Sequence, residues 1–309
     1  MKEIIPTYYQ NFRCKAGECR HSCCIGWEID IDDETMLLYD DPATPLYARF
    51  RTHIERTDPP HFCLDEKERC PFLNAQGLCD IIMTMGEESL CQICDDHPRF
   101  RNYFSDRTET GLGLCCEAVA ELILFQMEPA GWLVQESAEA CDTLTEEETE
   151  LLAVREEIYH LLKERSVPLQ DRLFSVLELC GSALPEKTGA EWCEVFRNLE
   201  RLDPAWDAML HLPAEDNASL SCDIRQEWQV PLENLAVYFV FRHIAGALED
   251  RRIAARAAFC VLGVFFIHRL WQKQAELTPE AMAETVRLYS SEIEYSEDNT
   301  DALLTLLDP

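Results

Sequence analysis

Basic residues are scarce. Against 58 Asp and Glu the chain of 309 residues sets only 27 Lys and Arg, a formal net charge of −31. Affinity for nucleic acid or for an anionic membrane comes from clustered Lys and Arg, so this balance argues against partners held through their phosphates. Long apolar runs are missing as well. The longest, 257–267, is bounded by Arg256 and His268 and falls short of the ~20 residues that cross a bilayer, which predicts a buried core helix. After Met1 the sequence KEIIPTYYQNF carries Lys2, Glu3 and Pro6 where a secretory signal needs an unbroken apolar stretch, so a cytoplasmic chain is expected. There is no repeat, no sustained heptad and no low-complexity tract. No GxGxxG loop follows a strand, and Gly111-Leu112-Gly113-Leu114 is too short to replace one, which tells against a Rossmann-type nucleotide fold.

What the sequence has in abundance is cysteine, sixteen in all. A chain of this length can bury a core without disulfides, and in a reducing compartment clustered cysteines more often bind metal or do redox chemistry than cross-link. Eleven of the sixteen lie before residue 117. Cys14, Cys19, Cys23 and Cys24 fall within eleven residues, close enough for one loop to turn several sulfurs toward a single ion or cluster. Lys15, Arg20 and His21 beside them are expected to lower the thiol pKa values. A second set runs through Cys63, Cys70, Cys79 and the CxxC of Cys91 and Cys94 to the pair Cys115 and Cys116. A redox CxxC sits near a βαβ pattern, which is missing here, so metal ligation is the better reading. Thiolates select zinc, copper(I) or iron–sulfur centres, and the excess of thiols over the four that a zinc site needs leans toward iron–sulfur. Cys141, Cys180, Cys193, Cys222 and Cys260 are scattered singly and read as small apolar residues.

Cysteine density also divides the chain into a loop-rich, metal-binding region over 1–130 and a helical domain over 131–309, a mainly α protein. In the first region Trp27 to Asp32 alternates apolar with polar residues, the period of a strand or extended segment, and a helix is expected over 117–127. In the second, Thr145 and Glu148 form a capping box before a helix over 146–165. A further helix carries Leu173, Val176, Leu177 and Cys180 and stops near Gly181. Others are expected at 191–200, 232–249 and 252–273. Thr278-Pro279 starts one that runs to about residue 292.

The stretch CKAGECRHSCCIGWEIDID from Cys14 to Asp32, CPFLNAQGLCDI from Cys70 to Ile81 and LCQICDDHPRF from Leu90 to Phe100 resemble the flagellin lysine-N-methylases. The N-terminal third is also similar to the zinc- or iron-chelating CxxCxxCC family. The late segment from Tyr289 to Ser296 resembles the C-terminal end of the methylases. The resemblance implies methyl transfer from S-adenosylmethionine to lysine amines of flagellin in a protein with an iron–sulfur (4Fe-4S) cluster or zinc. Its motif gives Cys14, Cys19, Cys23, Cys24, Cys70, Cys79, Cys91 and Cys94 as ligand candidates. The spacing departs from the CxxxCxxC of radical enzymes, because Cys24 follows Cys23 at once. The competing reading is a non-catalytic zinc- or iron-binding protein.

Catalytic groups are harder to name. Tyr8 and Tyr9 can hydrogen-bond an amine or pack in a core. Asp95, Asp96 and His97 can act as a base, support a metal from behind its ligands, or cap a helix. Trp27 can wall a pocket or pack, and Arg242 with His243 reads as a satisfied core position rather than a site. The acidic surface can steer a lysine-bearing substrate, or serve solubility alone.

Overall fold

Short-range signals account for most of the helices. The computed structural model describes residues 1–137, 140–211, 216–220 and 223–309, which leaves Cys222 outside the described residues. Helix Glu146–Lys163 starts with the expected box, in which the Thr145 hydroxyl accepts from the Glu148 amide (3.1 Å) and the Glu148 carboxylate accepts from the Thr145 amide (2.7 Å). Leu169–Leu179 ends before Gly181, whose φ of +63° suits glycine. Gly189–Arg197 begins two residues earlier than expected, on a second box formed by Thr188 and Glu191. The helix expected over 232–249 is Gln229–His243, followed by a 3-10 turn at Ile244–Gly246. Thr278 caps Pro279–Tyr289. Here the chain departs from the expected single helix, because Ser290–Glu294 widens into a π turn.

Two compact units divide the chain: residues 13–99 with 116–118, and residues 1–12, 100–115 and 119–309. The cysteine-rich unit has only short helices, among them Asp33–Tyr39, Tyr47–His53 and Asp80–Met85. Its extended segment buries Ile29 and Ile31 and leaves Glu28 exposed, as the alternation requires. Tyr39, Phe50, Phe62 and Phe72 stack into the core, with ring centroids 3.9 Å apart for Tyr39 and Phe50 and 5.1 Å for Phe62 and Phe72. Offset aromatic packing of this kind adds about 0.5–1.5 kcal/mol per pair beyond the area it buries.

The helical unit also contains a four-stranded sheet that periodicity did not announce. Lys2–Pro6 lies between Arg107–Leu112, to which it is parallel, and Trp132–Glu136, to which it is antiparallel. Arg99–Tyr103 completes the order beside Arg107–Leu112. Ile253–Lys273 is the core helix, and 83% of its most apolar window is buried, in line with the reading of 257–267. Cys193 and Cys260 are buried as expected of small apolar residues, whereas Cys141 is exposed and does not serve in a core.

Gly111 and Gly113 have a packing role. A Cβ on Gly111 would lie 2.2 Å from the Phe100 ring, and one on Gly113 would lie 2.0 Å from the Tyr295 hydroxyl. Gly113→Ala is therefore expected to destabilise by about 1–3 kcal/mol, measurable by urea unfolding. Acid is expected to weaken the same unit through His268. Burial, then Arg269 and Arg225, push this histidine down to about 4. Below its ordinary value the unfolded chain takes up a proton that the folded chain refuses. Stability thus falls as pH drops from about 6.5 to about 4, by about 3 kcal/mol in all. Unfolding His268→Phe at pH 7 and pH 4 checks this, and the variant should lose less on acidification than the parent.

Candidate functional site

The cysteine-rich unit draws its thiols inward. Cys70 and Cys91 are buried in the core, and Cys24, Cys79 and Cys94 pack against it. The Cys70 amide donates to the Cys24 carbonyl (2.8 Å), and the Cys94 amide to the Cys91 carbonyl (3.0 Å). The Cys70 thiol feels Cys24, Cys79 and Cys91, and the Cys94 thiol feels Cys91, Cys24 and Cys70. Burial and these neighbours push Cys70 up to about 12. At Cys91 the hydrogen bond to Cys94 favours the thiolate, while Cys94 is held protonated by the same bond. Thiols that raise one another resist ionising together, so without a cation beside them they stay largely protonated.

The Cys19 and Cys23 thiols each feel Cys14 and Cys116, and Cys23 also hydrogen-bonds to Cys24. Of the basic residues beside them, Lys15 lowers Cys19 as expected but is outweighed. Lys15 Nζ is held by Glu117 (3.0 Å), and Glu117 also accepts from the Arg20 amide (3.0 Å). Cys19 instead rises to about 11, by burial and by the nearby Cys116 and Cys14 thiols. The thiolate is favoured at Cys24, lowered to about 7 by its hydrogen bond from Cys23, then by Ser22 and Arg69. Those partners are not the cationic sequence neighbours, whose pull on Cys19 burial and the other thiols outweigh.

Tyr8 is a buried core residue. Trp27 packs against the aromatic core, and its indole donates to the Cys23 carbonyl (2.7 Å). Burial lowers His97 to about 4, leaving it neutral at pH 7. The start of helix Gln92–Asp96 is capped by Asp32, which accepts from the Gln92 amide (2.8 Å) while capping its own helix through Thr35 (2.9 Å). Sequence reasoning missed this tie, since 60 residues separate the partners. Also missed were Glu28, Asp30 and His61, which bring three ligand atoms within 4.8 Å of one another. Glu28 and Asp30 share the polar face of the alternating segment, and that parity was the available signal.

The helical unit holds a cleft of about 490 Å³ whose lining includes Arg242, His243, Arg252, Arg256, Glu294 and Asp301. Glu294 is its buried anchor. The π turn sends its carboxylate to His243 Nε2 (2.6 Å), to the Tyr238 hydroxyl (3.2 Å) and to Arg242 Nε (3.4 Å). Burial opposes its charge, but Arg242 and His243 outweigh burial and keep its pKa below the usual carboxylate value. Two positions back, Glu292 accepts from the Leu202 amide (3.1 Å) and braces another part of the unit. Arg242 lies between the rings of Phe100 (4.9 Å) and Tyr295 (4.6 Å). Arg242 and His243 are thus satisfied, as expected, and they also wall a cleft.

Residues 220–308, which carry most of this cleft, match the FliB lysine N-methylase C-terminal domain. Over that segment, less than a third of the chain, it is similar to the lysine N-methylases. Lysine-N-methylases of Salmonella choleraesuis (strain SC-B67) and Salmonella typhimurium (strain LT2) are each 28% identical to it, over 134 and 141 residues. Each alignment covers 40% of this chain and 33% of the relative, so the chain spans about a third of the length of these lysine N-methylases. The flagellar biosynthetic protein FliU of Salmonella muenchen is 27% identical over 134 residues, 40% of this chain and 79% of that protein. No solved structure matches the chain. Within the lysine N-methylase segment, the stretch 289–296 is the π turn and its flanks, so the motif noticed in the sequence supplies Glu294 to the cleft.

Proposed function

We propose that the chain is a cytoplasmic, S-adenosylmethionine-dependent protein lysine N-methyltransferase acting on flagellin, with a thiolate metal centre in its cysteine-rich unit. The observation that carries this reading is that the segment matching the lysine N-methylase C-terminal domain contributes His243 and Glu294 to the polar cleft. The names of the curated relatives point to lysine methylation, and the flagellar name points to flagellin as acceptor. A net charge of −31 favours a lysine-bearing partner.

A protonated lysine is no nucleophile, so the site must take its proton before the amine attacks. His243 is the group placed to do so. Burial outweighs the pull of Glu294 and holds the imidazole below its ordinary pKa, so it is neutral at pH 7. With Glu294 ionised, the hydrogen of the 2.6 Å bond belongs to Nε2, and Nδ1 keeps its lone pair for the substrate. The lysine nitrogen then forms an N–CH3 bond as the donor's S–CH3 bond breaks, leaving S-adenosylhomocysteine, with the lysine proton on His243. Cys24, Cys70, Cys91 and Cys94 would hold the metal, an iron–sulfur cluster or zinc. Bound there, it would lend stability to a unit poor in regular structure.

Calorimetric titration with S-adenosylmethionine on anaerobically purified protein, followed by labelled methyl transfer to purified flagellin, tests the reading. The donor should bind both the parent and His243→Gln, while transfer by the variant falls on the order of 10²–10⁴-fold and recovers in part at high pH, where lysine sheds its own proton. A protein that retains its metal yet ignores the donor would return the chain to the non-catalytic, metal-binding reading.

A further inference from the structure

Apart from its thiols, the cysteine-rich unit gathers another set of donors through backbone register. The extended segment 28–31 runs antiparallel to His61–Phe62, with the Ile31 amide donating to the Pro60 carbonyl (2.8 Å) and the Phe62 amide to the Ile29 carbonyl (3.1 Å). Asp30 and His61 stand opposite each other between those two bonds, the narrow kind of antiparallel pair whose side chains lie closest. On its other side His61 is paired with Glu55 of the strand Ile54–Glu55. Residues directly opposite share a face, and Glu28 joins it two positions before Asp30. Three neighbouring segments thus bring one imidazole and three carboxylates to one side of the unit.

The side chains converge as the register requires. Ligand atoms of Glu28, Asp30 and His61 lie within 4.8 Å of one another, and His61 Nε2 is 3.4 Å from a Glu28 carboxylate oxygen and 3.6 Å from one of Glu55. At the far edge of the ring, His61 Nδ1 faces the Pro59 carbonyl (3.4 Å) and the Thr57 hydroxyl (3.2 Å). A carbonyl only accepts, so the ring hydrogen belongs on Nδ1 and the Nε2 lone pair points at the carboxylates, the orientation that a metal-bound imidazole needs. Asp30 supplies an independent sign: its Oδ1 is buried and has no hydrogen-bond partner. A buried anionic oxygen without a donor is costly unless a cation lies beside it.

We propose that Glu28, Asp30 and His61, with Glu55 as a fourth arm, form a divalent-cation site that uses no cysteine. One imidazole nitrogen among carboxylate oxygens suits manganese(II), iron(II) or zinc, whereas copper(I) and iron–sulfur clusters call for thiolates. Bonds of about 2.1 Å let one ion join donors up to about 4.2 Å apart, so a small rotation of the exposed Glu28 side chain closes the set. The ion ties the segment 28–30 to the strands 54–55 and 61–62. The site rests neither on the thiols nor on the methyltransferase reading.

Manganese(II) is the probe, because it is a hard ion that thiolates bind poorly. Full-length protein, isolated anaerobically with its thiols and any metal on them left in place, should take up one saturable equivalent, read as loss of the free-ion signal in paramagnetic resonance. The spin-echo spectrum of the bound ion should carry the modulation of a coordinated imidazole nitrogen, and His61→Gln should abolish it. Glu28→Gln, at an exposed position, should keep the parent's circular dichroism and weaken binding by about tenfold or more. Glu87→Gln with Glu88→Gln, an exposed acidic pair elsewhere in the unit, controls for the strongly negative surface and should change nothing. Uptake that does not saturate, nitrogen modulation that survives in His61→Gln, or equal losses in Glu28→Gln and the control pair would overturn the site and leave His61 as an imidazolium paired with carboxylates. Donor binding is scored separately, so none of these outcomes bears on the methyltransferase reading.

Discussion

Removing metal under anaerobic, reducing conditions is expected to unfold the cysteine-rich unit and leave the helical unit folded. The cysteine-rich unit has helices of seven residues or fewer around four stacked rings and a handful of aliphatic side chains. Helices so short are marginal without packing, and several thiols in the core that raise one another's pKa add no cohesion of their own. A structural thiolate site contributes on the order of 10–16 kcal/mol in small zinc domains, as much as the whole stability of an ordinary domain. The helical unit has the buried helix Ile253–Lys273 and needs no such help. Hydrogen exchange before and after chelation gives the answer: amides over 13–99 should lose protection while those over 253–273 keep theirs. Unchanged protection over 13–99 would mean that the thiols are packing residues and not ligands.

Glu294→Gln should produce the largest single-residue loss in the helical unit. Its carboxylate is fully buried and holds His243 and Arg242, both nearly buried themselves. Removing one partner of such a group strands the others, a change that costs about 3–5 kcal/mol. For a unit of this size that lowers Tm by roughly 10 °C, which differential calorimetry resolves. Methyl transfer should fall as well, because His243 loses the carboxylate that fixes its tautomer. The pH dependence separates the two effects. A purely structural role would leave the pH profile of the surviving activity unchanged, whereas loss of the carboxylate that raises His243 moves the acid limb of the profile toward lower pH. A variant within about 1 kcal/mol of the parent would show that the network is not the anchor described here.

Helices were legible because their signals are local. Thr145 with Glu148, the repeating apolar positions of 151–162, Gly181 and Thr278-Pro279 all act within a turn or two, and the structure carries each of them. The thiols were legible as a composition and not as a site. Cys24 lies against Cys70, 46 residues on, and Lys15 and Arg20 answer to Glu117, about a hundred residues away. Spacing along the chain carries no information about such partners. His243 read as core because its apolar flanks were visible and Glu294, 51 residues on, was not.

By itself the sequence determined the helical domain's elements, the burial of 257–267, the scarcity of positive charge and the wealth of thiols, because propensity, capping and composition act residue by residue or within one turn. Tertiary structure alone decided that Lys2–Pro6 pairs with both 107–112 and 132–136, that Cys70 meets Cys24, and that a π turn brings Glu294 to His243. Each of these joins segments far apart in the chain, and such pairings are selected by the burial and hydrogen bonding of the whole fold rather than by any local pattern.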